Sequence, residues 1–305
     1  MNTNVGLQNS NDKRWPIIFA WCSILLVSDL PDIISNAVFG QAPHWLFYCR
    51  VIFLALFTGF CFLWEKIRVL RPYALIMLVF FMALTASDWL SNLAWWKGLI
   101  NDTQSSFFLG YLRPYLRDIG VTLIVIVALL IIKHHRKDFF LVRGQLDAPI
   151  EPIRWLGIRQ GESWRTFGWI FALCAAIAVA IPTLIGMKLS SSLLSRVVPT
   201  IPPILLFAAI NAFNEEIYYR TTLLSTLPQV IGKDQALLIN AAFFGLAHYL
   251  YGSPPGIVGL LMTGFLAWLM GKSLLETKGL FWAWFMHFLP DVVVFFSYAI
   301  AWVQQ

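Results

Sequence analysis

The heptapeptide NEEIYYR, residues 214–220, sets two adjacent carboxylates directly behind the apolar run VVPTIPPILLFAAINAF. A charge at bilayer depth costs at least ~2.5 kcal/mol, so ionisable residues persist there only where they face a bundle interior or a wet cavity. Residues four apart share a helix face. That spacing pairs Asn211 with Glu215, Glu216 with Arg220, Phe244 with His248, and His287 with Asp291. A desolvated carboxylate is a stronger base, and beside a neutral imidazole it can hold a water and take its proton. A further imidazole can donate to negative charge as it builds on an oxygen, which in a low-dielectric site is worth a few kcal/mol. The same Glu, two His and Asp could also compose a metal-ligand set. The chain has no HExxH, which would place both zinc-binding histidines on one helix.

These residues need helices to hold them. Apolar runs near the roughly 20 residues that cross a bilayer recur at about 16–39, 45–63, 73–95, 118–132, 167–187, 200–226, 235–250, 256–271 and 280–302. They predict an all-α polytopic membrane protein with eight or nine transmembrane helices. The runs at 118–132 and 235–250 are lean, and SPPG at 253–256 interrupts what could be one hairpin. With a rise of 1.5 Å per residue, Glu215, His248 and His287 lie about 16, 21 and 10 Å from one membrane face, so three antiparallel helices could bring a carboxylate and two imidazoles to one buried point.

Composition agrees: 59% of the 305 residues are hydrophobic and 12% charged, and the mean hydropathy is +0.70, which excludes a soluble globule. The net charge of +6 reads as topology. A cytoplasmic N-terminus puts about 16 of the 22 basic residues inside, so no nucleic-acid partner is needed. The expected location is a bacterial inner membrane. The polar MNTNVGLQNSNDKR start and long first apolar run predict no cleavable signal peptide. Cys22, Cys49, Cys61 and Cys174 read as small core hydrophobes. The basic stretch 133–165 divides an N-terminal four-helix region, 1–132, from a membrane core, 166–305. Its Trp155, Leu156, Ile158 and Trp164 interleave with Arg154, Arg159 and Arg165, which fits either a segment in the headgroup layer or an ordinary connector.

EExxxR at Glu215-Glu216-Arg220, FxxxH at Phe244-His248 and HxxxD at His287-Asp291, in that order on successive apolar helices, resemble the CPBP family: CAAX prenyl proteases of the Ras-converting type and their bacteriocin-processing relatives. The resemblance covers roughly residues 165–305, and WLGIRQGESWR (155–165) is similar to the stretch that often precedes that core. It implies a metal-independent intramembrane endopeptidase without a cofactor. In that reading Glu215 with His248 activates a water that attacks a peptide carbonyl, and His287 with its partner four residues on faces the oxyanion. Glu216 and Arg220 form a buried ion pair that fixes the first helix, with Phe244 and Asn211 in support. The substrate is a membrane-associated peptide or protein. Many relatives carry Asn where this chain has Asp291, and an ionised Asp cannot donate to an oxyanion. Either Asp291 is protonated in its apolar setting, or it accepts from His287 and orients the ring.

Asn211, Asn214 and Asn240 fit helix-packing glue as well as support for a site, and Gly245, Gly256, Gly259 and Gly264 fit close helix approach. Two rival functions stand beside the protease. Asp29 and Asp32 around Pro31, Arg50, and Asp88 with Asn92 could form an ion pathway of a transporter, but no paired repeat with matching broken helices accompanies them, and Arg50 is expected to pair with one of the aspartates. A noncatalytic immunity or scaffold protein would keep the fold and bind a partner; no motif residue is missing to signal it.

Overall fold

The computed structural model describes residues 14–100, 106–185, 190–252 and 254–304. The polar N-terminal stretch through Lys13 and Ser253 of the SPPG break lie outside the described residues. Helices make up 84% of the described residues, without a strand. In chain order they are α1 (Arg14–Val27), α2 (Leu30–Phe39), α3 (Trp45–Leu63), α4 (Arg71–Asn92), α5 (Ala94–Leu99), α6 (Phe107–Lys133), α7 (Trp164–Leu184), α8 (Ser191–Val197) and α9 (Ile201–Glu215). A π-helical turn, Glu216–Thr221, follows α9, and then come α10 (Thr222–Leu224), α11 (Pro228–Ile231), α12 (Lys233–Tyr251), α13 (Gly256–Thr277) and α14 (Phe281–Gln304).

Among the described residues seven helical stretches are long and apolar enough to cross a membrane, or eight if α1 and α2, bent by 52° at their junction, count as one. The protein is an all-α polytopic membrane protein. Of the two lean runs, 118–132 lies inside a 27-residue α6 that begins at Phe107, where Ser106 caps the helix by accepting from the Leu109 amide at 3.2 Å. The other, 235–250, is the 19-residue α12, which does not reach that apolarity because Lys233, Asp234, Gln235, Asn240 and His248 sit on it.

The chain divides into two compact units. One combines residues 1–82 with 222–268. Within it Arg50 Nη2 donates to Asp29 Oδ1 at 3.1 Å and to Asp32 Oδ2, so α3 is tied to the start of α2, just past its bend from α1. The Trp21 indole donates to Gln235 at 2.8 Å, linking α1 to α12. A side chain at Gly245 would meet the Leu260 carbonyl at 2.7 Å and Gly264 at 3.3 Å, so α12 and α13 cross backbone to backbone there. Asn240, wholly buried, donates across the same crossing to the Ala267 carbonyl at 2.8 Å and is packing glue. Gly259 also serves close approach, whereas Gly256 has open space around it and a φ of +78°, so its role is a left-handed turn at the start of α13.

The other unit combines residues 83–221 with 269–305. Here α14 packs along α7 and α9, and α6 packs on α9. Phe107, Leu193, Val197, Ile204, Phe207, Phe295 and Ile300 form the apolar core at one end. The loop between α6 and α7 is fixed to the α13–α14 turn. The Gln145 amide donates to the Thr277 carbonyl at 2.8 Å, the Leu280 amide to Val142 at 2.9 Å, and the Trp282 indole to Leu146 at 3.0 Å. Lys272 bridges Glu151 and Glu276, and Glu276 accepts from the Trp164 indole at 2.9 Å. Trp164 and Ile158 are therefore buried in protein, while Trp155 is exposed.

Candidate active site

The carboxylates of NEEIYYR occupy the junction between α9 and the π turn. The Glu216 amide donates to the carbonyls of both Ala212 and Phe213, four and three residues back, and the π turn with its five-residue ladder follows. Glu216 and Arg220 belong to this turn and form an ion pair at 2.8 Å with both side chains fully buried. Glu216 Oε1 also accepts from His287 Nδ1 at 2.8 Å. A carboxylate held by a guanidinium offers only lone pairs, so the proton of this bond sits on Nδ1. The His287 ring is thus oriented by Glu216, and its Nε2 points at the two remaining carboxylates.

Those stand 3.4 Å away at Glu215 Oε2 and 3.8 Å away at Asp291 Oδ1. The Asp291 distance is too long for a hydrogen bond. Asp291 instead accepts at Oδ2 from Asn211 Nδ2 at 3.0 Å, and the same amide nitrogen donates to Glu215 Oε1 at 3.3 Å. Asn211 therefore bridges the two carboxylates with its two N–H groups. Its oxygen is turned away from them and accepts from the Tyr115 hydroxyl at 3.0 Å. Adjacent in sequence, the two glutamates differ in access: the Glu216 side chain is 0% exposed and that of Glu215 is 24%. Among the described residues Glu215 Oε2 accepts no hydrogen bond.

α14 reaches this point by two devices. The Trp284 indole donates to the Ala209 carbonyl at 3.0 Å and fastens α14 to α9 one turn before His287. Pro290 lies inside the helix between His287 and Asp291, and having no N–H it leaves the Met286 carbonyl without its amide partner in the next turn. α6 supports the other side. Thr122 Oγ1 donates to Asn214 Oδ1 at 2.6 Å, and the Tyr218 hydroxyl donates to the Asp118 carbonyl.

The structure thus brings together six of the residues singled out by spacing: Asn211, Glu215, Glu216, Arg220, His287 and Asp291. Phe244 and His248 belong to α12 in the other unit. There His248 Nδ1 lies 2.9 Å from the Phe244 carbonyl and the two rings are 4.3 Å apart. A carbonyl only accepts, so Nδ1 carries a proton and, in the neutral ring, Nε2 is the acceptor. Tyr115, Thr122, Tyr218, Trp284 and Pro290 were missed. The signal for two of them is present, because Tyr115, Asp118 and Thr122 follow helical spacing, but the expected run at 118–132 includes Asp118 and Thr122 and stops short of Tyr115. Among the described residues no three His, Cys, Asp or Glu side chains are grouped to hold a metal ion.

Residues 197–293 match the family model of the type II CAAX prenyl endopeptidase Rce1-like proteins. This stretch is similar to an Rce1-like core. The match spans all three motifs and supports the CPBP resemblance over less than half of the chain; α1–α7 and the loop before α7 lie outside it. No curated protein matches the chain, and no solved structure does. The apolar helices make the protein an integral membrane protein, and the match supports a CAAX-type endopeptidase class for residues 197–293.

Proposed function

We propose that the Rce1-like core hydrolyses a peptide bond of a membrane-associated substrate with Glu215 as the general base. The observation that carries this is the contrast between neighbours: Glu216 is fully buried and held by Arg220 and His287, while the Glu215 side chain is 24% exposed. A base must reach water, and a structural carboxylate must not. Glu215 takes the proton of the attacking water as its oxygen bonds to the carbonyl carbon, and returns it to the leaving amine as the C–N bond breaks. His248, whose Nδ1 is committed to its own helix, serves as the second proton acceptor through Nε2. His287, its Nδ1 held by Glu216, donates from Nε2 to the carbonyl oxygen as charge develops. With that ring doubly protonated, two cationic groups, Arg220 and His287, face three carboxylates. Asp291 sets the Asn211 amide, and through it Glu215, instead of donating to the oxyanion itself.

The step needs no cofactor in this reading. The loop-charge bias supports a cytoplasmic N-terminus in a bacterial inner membrane, with 1–132 as a separate leading region, 133–165 as connector and 166–305 as the catalytic portion. The test is cleavage of a quenched prenyl-CAAX peptide and a panel of membrane peptides in liposomes. Some peptide should be cut by wild type, by neither Glu215→Gln nor His248→Ala, and equally with a chelator present. Activity that survives Glu215→Gln in folded protein would falsify the base assignment.

A further inference from the structure

A cavity of about 270 Å³ opens beside α9 and α14, lined by Leu141, Val142, Arg143, Phe213, Leu280, Phe281 and Trp284. Its walls are apolar side chains apart from Arg143, which is exposed and, among the described residues, forms no ion pair. The backbone that carries Arg143 is held in place. The Val142 carbonyl accepts from the Leu280 amide, and Gly144 packs on Gly279 so closely that a side chain at either would meet backbone within 2.7 Å. The arginine stem is therefore anchored at a fixed point of the rim.

We propose that this cavity binds an anionic phospholipid, with the phosphate on Arg143 and part of one acyl chain between Phe213, Phe281 and Trp284. Charge complementarity selects this occupant. A wholly apolar guest would leave the guanidinium without an anion, and a free phosphate would leave the aromatic walls against water. An amphiphile satisfies both, and the volume, just below that of ordinary small-molecule sites, takes a portion of one chain. The loop supplies the head site and the membrane helices the tail site, as the boundary between headgroup and acyl layers requires.

The site also touches the chemistry. The Phe213 carbonyl accepts from the Glu216 amide, and Trp284 is bonded to the Ala209 carbonyl one turn before His287. An acyl chain against Phe213 and Trp284 stiffens both helices that carry the carboxylate cluster. Binding itself is independent of the protease reading.

The test is native mass spectrometry of the full chain, released from vesicles of equal phosphatidylglycerol and phosphatidylcholine, as wild type, as Arg143→Ala and as Leu141→Trp, which fills the cavity from the loop. One phosphatidylglycerol should be retained by wild type, with retention about fivefold weaker in Arg143→Ala and lost in Leu141→Trp while phosphatidylcholine is unaffected. Equal retention of both lipids, or no change in Arg143→Ala, overturns the proposal. Displacement of the lipid by a prenylated peptide, but not by the same peptide unlipidated, reassigns the cavity to the substrate's own lipid and overturns it too. Each outcome can be read on the catalytically silent Glu215→Gln protein, so the failure of either reading is separable from that of the other.

Discussion

Of the clusters of ionisable side chains in the membrane helices of this protein, two differ in how they are built. On α1–α3 one guanidinium, Arg50, takes two carboxylates, Asp29 and Asp32, and its work is done when the helices are joined. On α9, the π turn and α14 one guanidinium, Arg220, meets three carboxylates, of which it holds only Glu216. The surplus falls on Glu215 and Asp291, which share one asparagine amide and one edge of an imidazole. Where the guanidinium bonds every carboxylate, the cluster is architecture. Where carboxylates stand beyond its reach and one of them, Glu215, is partly exposed, a group is left to react.

The comparison breaks most visibly at Glu215. Glu215→Gln keeps size and polarity and removes the base, and should lower kcat about 10²- to 10⁴-fold in peptide cleavage without changing the melting transition. An equal fall in stability would make Glu215 another structural residue. Next comes Arg220→Met, which strands Glu216 and should cost about 3–5 kcal/mol in a denaturant titration in detergent. The paired Glu216→Leu/Arg220→Met should recover much of that loss while remaining inactive, because His287 has lost the acceptor at Nδ1. Arg50→Met sharpens the contrast from the other side. It should lower stability, and Asp29→Asn/Asp32→Asn added to it should restore stability, because the neutral amides no longer need a cation. The smallest effect is expected at Tyr115. Tyr115→Phe removes one neutral hydrogen bond, about 0.5–1.5 kcal/mol, and should lower kcat by up to about tenfold at unchanged KM, since the Asn211 amide loses the contact that fixes which end faces the carboxylates.

Spacing alone revealed most of the cluster because each pair lies four residues apart on one helix. Membrane burial made each pair conspicuous, since Glu, Arg, His and Asp are otherwise kept out of hydrocarbon. What spacing could not reveal were partners on other helices. His287 and Asp291 share a face yet do not bond, because Glu216 and Asn211 take the ring and the carboxylate first. Arg50 was expected to hold one aspartate and holds two, a detail set by the 52° bend between α1 and α2. Tyr115 lay hidden for a different reason: a hydropathy reading ends the helix where Arg113, Arg117 and Asp118 begin, while the structure carries α6 through them to Ser106. α12 shows the converse, as the polar residues that mark it for function also weaken its claim to be a span.

The π turn has a consequence for how length itself encodes the site. Every side chain beyond Glu216 owes its angular position to one extra residue in a turn that neither proline nor glycine announces. Winding the same residues as plain α-helix would leave composition and apolarity untouched. Yet without the wider turn each later side chain would be turned by as much as about 100° around the axis relative to α9. In this stretch phase is the information, and a hydropathy profile is blind to it.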